Sequence, residues 1–307
     1  MSHLCLTKER VNFPLFSPPS LQPLIFSWRQ KNPSTTEACE KMGHMVHSGK
    51  LRKSFHQDRI RKYGPVSNLS LFGTPTVFLN GQTTNKLVYT CDGNTLANQQ
   101  PPSIRRICSE KNITELRGDE HKRVRDALVS FLKPEVLKQY VGKMDEEIRK
   151  HLEMHWQAKG HGHETSATLL TFLVRLLASN SSVRANFVQE IARNKASGEL
   201  LTWDDHGKMK YTWRVALEIR MDAPLPGIFM EILHVMLASS VTHMDEQLFL
   251  DPSKFDPTNF EKQAPPFSFV AFGGGPRICP GYEFARIETL SYNSLLGDPI
   301  YMEALLH

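Results

Sequence analysis

The segment Pro266-Phe267-Ser268-Phe269-Val270-Ala271-Phe272-Gly273-Gly274-Gly275-Pro276-Arg277-Ile278-Cys279-Pro280-Gly281 constrains the fold of this chain more than any other stretch. Consecutive glycines admit backbone angles that side chains exclude, while Pro276 and Pro280 fix theirs. The following residues, Tyr282-Glu283-Phe284-Ala285-Arg286-Ile287-Glu288-Thr289-Leu290, read as a helix. Cys279 is therefore expected at a helix N-terminus, where the positive end of the dipole favours thiolate over thiol. Two blander readings stand beside this one. A single cysteine often packs as a small hydrophobe, and a glycine-rich turn before a helix can cradle phosphate. Phosphate is disfavoured here, because no Lys-Ser/Thr follows the glycines and no GxGxxG spacing occurs.

Hydrophobic residues make up 40% and charged residues 22% of the 307, the balance of a folded globular chain. The net charge of +5 is mild. Basic clusters such as Lys50-Leu51-Arg52-Lys53 and His121-Lys122-Arg123-Val124-Arg125 are short and interrupted by apolar residues. They read as solvated helix faces, so no nucleic-acid partner is expected. Five cysteines (Cys5, Cys39, Cys91, Cys108, Cys279) contain no CxxC pair, which argues against a zinc ribbon or a dithiol redox site. A reducing compartment is the default for such a set. No run of about 18 apolar residues encodes a membrane-spanning helix. Pro14, Pro18, Pro19 and Pro23 interrupt any anchor or signal peptide at the N-terminus.

Periodicity predicts a mainly α chain with a small β-sheet (α+β). Residues 1–45 carry no sustained period and are expected to be poorly ordered, leaving 46–307 as one domain. Leu51, Phe55, Ile60 and Tyr63 have helical spacing. Val66–Phe72 and Thr76–Leu79 read as strands of a hairpin around Gly73-Thr74-Pro75. Helices are expected from Asn85 and over Glu120–Phe131, with Val124, Leu128 and Phe131 on the apolar face. Further helices are predicted over Glu135–Trp156, Thr168–Ala178, Asn186–Asn194 and Met209–Arg220.

Phe272-x-x-Gly275-x-Arg277-x-Cys279-x-Gly281 resembles the haem-binding signature of the cytochrome P450 superfamily at every fixed position. The resemblance implies a haem (heme) cofactor whose iron is ligated by Cys279, in a loop formed by Phe272, Gly275, Arg277 and Gly281. Glycines would let a flat macrocycle approach the backbone, and Arg277 would pair with a haem carboxylate. His121 and Arg125, four apart on one helix, resemble the positions that bind a haem propionate; a solvated basic face is the alternative. Glu164 and Thr165, within Gly162-His163-Glu164-Thr165-Ser166, resemble the acid–alcohol pair that relays protons to oxygen. Phe255–Phe260 resembles the stretch ahead of the cysteine loop. The wording of 50–156, 162–220 and 242–290 is most similar to plant terpenoid and sterol hydroxylases. Gly198–Trp203 and Met209–Trp213 fit the group that oxidises triterpenes and taxanes. The resemblance further implies a monomer that takes electrons from NADPH-cytochrome P450 reductase, acts on a small apolar substrate and sits at the cytosolic face of the endoplasmic reticulum. This chain's lack of an anchor helix leaves a soluble form open.

The departures from the family pattern point to a second reading, a non-catalytic, truncated product of such a gene that binds haem weakly or misfolds. Glu218 matches the first member of an ion-pair network, but the cation expected three residues on is replaced by Met221. Arg220 lies about 100° away around the helix. Asn259 replaces a loop arginine. Glu218 is expected to be a buried carboxylate without its partners, and Met221→Arg with Asn259→Arg is expected to rebuild the network and improve haem retention. Segments are missing near 157–161, where the family forms its pocket roof, and near 231–242, where a strand pair is shortened. After Leu290 the wording departs. Little haem uptake and negligible hydroxylation are expected of this chain as it stands. A third reading makes it a helical interaction protein with a structural cysteine.

Overall fold

The computed structural model describes residues 58–71, 74–91, 105–107, 109, 111–155, 164–194, 199–220, 228–229 and 234–297. They form two compact units, one built around a sheet and one built of helices.

In the sheet unit, strands β1 (Val66–Leu71) and β2 (Thr74–Leu79) form the expected antiparallel hairpin. The second strand starts earlier than the sequence indicates, taking in Thr74 and Pro75. Helix α1 (Gln82–Thr90) follows. The two-residue strand β3 (Ile228–Phe229) pairs antiparallel with β4 (His234–Leu237), and β4 runs parallel to β2. The sheet order is β1-β2-β4-β3. Pairing of β2 with β4 begins at Thr76, so Pro75 needs no N–H on that side, and a proline is tolerated there. As an inner strand, β2 is covered on both faces: Thr76, Val77, Phe78 and Leu79 are all buried. Val77, Leu79, Val88, Tyr89, Val235, Leu237 and Val270 make up the core of this unit. The short helix α2 (Ser239–His243) follows β4, and Ala238 N donates to Leu79 O.

Between these segments the chain forms helices α3 (Gly118–Phe131), α4 (Pro134–His155), α5 (Glu164–Ser179), α6 (Ser181–Asn194), α7 (Trp203–Lys208) and α8 (Lys210–Arg220). Helix α9 (Tyr282–Leu296) continues two turns beyond the expected segment. The first expected helix is described only over 58–63. Helix α3 forms where predicted, but its apolar face does not reach a core. Leu128 is 41% and Phe131 71% exposed, and His121 is the buried residue of the helix.

The helical unit closes around Leu137, Val141, Leu173, Leu177, Phe187, Ile191, Met209, Val215, Ile287 and Leu290. Two carboxylates, Asp145 buried and Glu190 half-buried, tie its elements together. Asp145 on α4 accepts from Arg149 Nε (3.0 Å) and from Leu201 N (3.1 Å) ahead of α7. Glu190 on α6 accepts from Tyr211 N and Thr212 N (both 2.7 Å). It thus satisfies donors that the first turn of α8 cannot pair internally and places negative charge at the positive end of that helix. A capping box between Thr202 and Asp205 starts α7. Among the described residues no helix is long and apolar enough to cross a membrane.

Candidate functional site

The approach to the cysteine loop is fixed within the sheet unit. Gln82 Nε2 donates to Pro266 O (2.7 Å), and Asn85 Nδ2 donates to Phe267 O (3.1 Å) and to Thr242 Oγ1 (3.3 Å). Val270 N donates to His243 Nε2 (3.0 Å), and Val270 O accepts from Gly273 N (2.8 Å). Gly273 and Gly275 lie at φ +77° and +58°, in the left-handed region that favours glycine. Gly275–Arg277 form a 3-10 turn closed by Ile278 N donating to Gly275 O (3.1 Å). Arg277 donates to Ile113 O (3.3 Å) and Leu116 O (2.8 Å).

Two of the three glycines have a reason independent of any cofactor. A Cβ on Gly274 would lie 2.8 Å from Tyr89 Cγ, and one on Gly275 would collide with the Tyr89 carbonyl oxygen. The loop rests directly on the last turn of α1.

Burial pushes the Tyr89 phenol up from 10.0 to about 12. A group whose folded pKa is raised contributes stability below its unfolded pKa and loses it as pH climbs through the folded one. For Tyr89 that window runs from about pH 10 to 12 and is worth roughly 2–3 kcal/mol. Tyr89→Phe is expected to flatten the fall in Tm across it. An unchanged alkaline slope would show that another group carries the effect.

Between Ile278 and Cys279 the chain passes into the helical unit. Cys279 is a free, exposed thiol, and its carbonyl accepts from Tyr282 N (3.4 Å). Gly281 is the N-cap of α9 and its carbonyl accepts from Ala285 N (2.8 Å), so Cys279 sits two residues ahead of the cap, as the sequence predicts. A Cβ on Gly281 would make ordinary contact with Cys279 Sγ at 3.9 Å. A bare metal ion would need about three or four protein ligands. Among the described residues no group of three His, Cys, Asp or Glu side chains could hold one. A lone exposed thiol ahead of a helix N-terminus fits a metal whose remaining ligands belong to a macrocycle.

Of the other sequence candidates, Phe272 is half-buried in the same loop. His121 is buried and Arg125, one turn on along α3, is half-buried. Glu164 and Thr165 lie in the first described turn of α5. Residues 156–163, Met221 and Glu231 lie outside the described residues.

Glu218 is buried, as expected, and a backbone donor meets its carboxylate; the position three residues on lies outside the described residues. Glu218 is 6% exposed, and its Oε1 accepts from Asp256 N (3.2 Å) at the start of the 3-10 helix Pro257–Phe260. One turn earlier on α8, Arg214 pairs with Glu261 at 2.8 Å. Asn259 Oδ1 accepts from Leu250 N (2.9 Å). One backbone donor and one ion pair therefore join α8 to this turn. Asn259→Arg would remove the Leu250 acceptor instead of restoring a network, and is expected to cost about 1 kcal/mol. A raised urea midpoint in that variant would favour the rebuilt network.

Sequence reasoning did not single out Gln82, Asn85, Tyr89, Glu190 or His243. Each acts across a long separation in the chain, and no local spacing marks it.

Residues 155–292 match the cytochrome P450 family model. Over 150 residues the chain is 41% identical to a beta-amyrin 28-monooxygenase of Panax ginseng, covering 43% of this chain and 31% of that protein. It is 41% identical over 164 residues to cytochrome P450 716A75 of Maesa lanceolata, covering 47% and 34%. In these matches the chain spans about a third of the relatives' length. A beta-amyrin 28-monooxygenase of Medicago truncatula aligns at 25% identity with 89% of this chain and 88% of its own. That alignment extends over 423 positions, so the 307-residue chain enters it with long gaps. The retinoic acid bound cyanobacterial CYP120A1 shares the fold, with a TM-score of 0.68 at 21% identity over 84% of this chain and 88% of that one.

Proposed function

We propose that the chain is a haem-thiolate monooxygenase of apolar terpenoids or sterols, using dioxygen and electrons from NADPH-cytochrome P450 reductase. The observation that carries this is the exposed free thiol of Cys279, two residues ahead of the N-cap of α9. Bound haem would supply the oxygen-activating chemistry. Cys279 would hold its iron through sulfur and donate electron density to it. Arg277, His121 and Arg125 are the cations for the cofactor's carboxylates, while Phe272, Gly275 and Gly281 shape the loop. The Thr165 hydroxyl and Glu164 carboxylate would hold and pass the protons that the reaction consumes. The names of the relatives favour a triterpene as substrate. The endoplasmic reticulum is the compartment proposed from the same kinship.

The gapped alignment favours a second reading, in which this short chain binds haem weakly or misfolds, with negligible turnover. Haem-loaded protein, reductase, NADPH, a triterpene panel and 18O-labelled dioxygen separate the two. Transfer of one labelled oxygen into a triterpene supports catalysis. Haem bound with no product, or little haem uptake, supports the second reading and contradicts the first.

A further inference from the structure

We propose that His243 is a positioning residue for the cysteine loop, acting as the acceptor for the Val270 amide. His243 is fully buried and Val270 is 3% exposed, and the contact between His243 Nε2 and Val270 N is 3.0 Å. A buried backbone N–H requires an acceptor. An imidazole nitrogen accepts only when it carries no hydrogen, so this geometry commits the ring to a neutral form protonated at Nδ1. The ring also packs on Phe269, with centroids 4.9 Å apart. Its neighbour Thr242 accepts from Gly81 N and Asn85 Nδ2, which anchors the end of α2 to the start of α1. The Val270 N–H is thus held by His243 and the Val270 carbonyl by Gly273 N, across the turn that leads into the three glycines. Glycines have no side chains to resist a swing of that peptide, so its orientation sets the path of the turn toward Cys279. The hydrogen bond stands by itself. Its consequence at Cys279 rests on the haem-thiolate reading.

Two variants and one unaltered-chain measurement test this. His243→Gln keeps an acceptor through its amide oxygen, whereas His243→Phe keeps the stacked ring and removes the acceptor. Val270 amide exchange is expected to be about tenfold faster in His243→Phe and within about twofold of the unaltered chain in His243→Gln. In haem-loaded protein, the thiolate-type fraction of the reduced carbon-monoxide spectrum should fall in the Phe variant and return in the Gln variant. Unchanged exchange in the Phe variant, or failure of Gln to restore it, overturns the proposal. If none of the three proteins takes up haem while exchange follows the expected order, the functional reading fails and the positioning role holds. Should His243→Phe not fold, the 15N shifts of the His243 ring in the unaltered chain decide. A bare Nε2 supports the role, and an Nε2–H tautomer overturns it.

Discussion

Cys279→Ser is expected to abolish the thiolate-type spectrum of the haem-loaded chain, while serine at Cys5, Cys39, Cys91 or Cys108 leaves it intact. A serine hydroxyl is a harder and poorer ligand for haem iron than a cysteine sulfur, so the substitution removes the donor on which that spectrum depends. The substitution is close to isosteric at an exposed position, so stability should change by no more than about 0.5 kcal/mol. That separation matters, because a lost spectrum with an unchanged Tm assigns the effect to ligation rather than unfolding. Retention of the spectrum in the serine variant would remove Cys279 from the site.

Gly275→Ala should be the most disruptive single methyl in the loop. Residue 275 sits at φ +58°, where any L side chain is strained, and its new Cβ would overlap a backbone oxygen at Tyr89 rather than a movable side-chain tip. The left-handed angle alone costs about 1–2 kcal/mol, and relieving the overlap requires the loop or the end of α1 to shift. A total loss of about 3 kcal/mol or more is expected in denaturant unfolding, with reduced haem retention. Tyr89→Ala in the same background should not rescue it, since the clash is with main chain. A Gly275→Ala protein of unaltered midpoint and haem affinity would show that the loop does not bear on α1 as described.

The hairpin, α4 to α6, α8 and the helix after Cys279 were legible because their patterns are local: apolar spacing, glycine and proline breaks, a helix after a turn. The hairpin misjudgement at Thr74 and Pro75 came from reading proline as a breaker. Its missing N–H is harmless where β4 does not reach. The exposed Leu128 and Phe131 show that helical spacing predicts a helix without saying what covers it. The signature made Cys279 legible, but not the reason for Gly274 and Gly275, since Tyr89 lies far away in the chain. Asn85 and Phe267 meet across 182 residues, and neither residue type advertises that contact. Glu218 was legible as buried. Its partner was not, because a backbone N–H at Asp256 replaces a side chain that a motif could have named.

The carbon-monoxide difference spectrum of the reduced, haem-loaded, unaltered chain tests the central claim most directly. With Cys279 as the sulfur ligand, the spectrum should show the thiolate-type band. A spectrum of histidine-ligated or thiol-ligated haem, or no stoichiometric haem uptake at all, would contradict it.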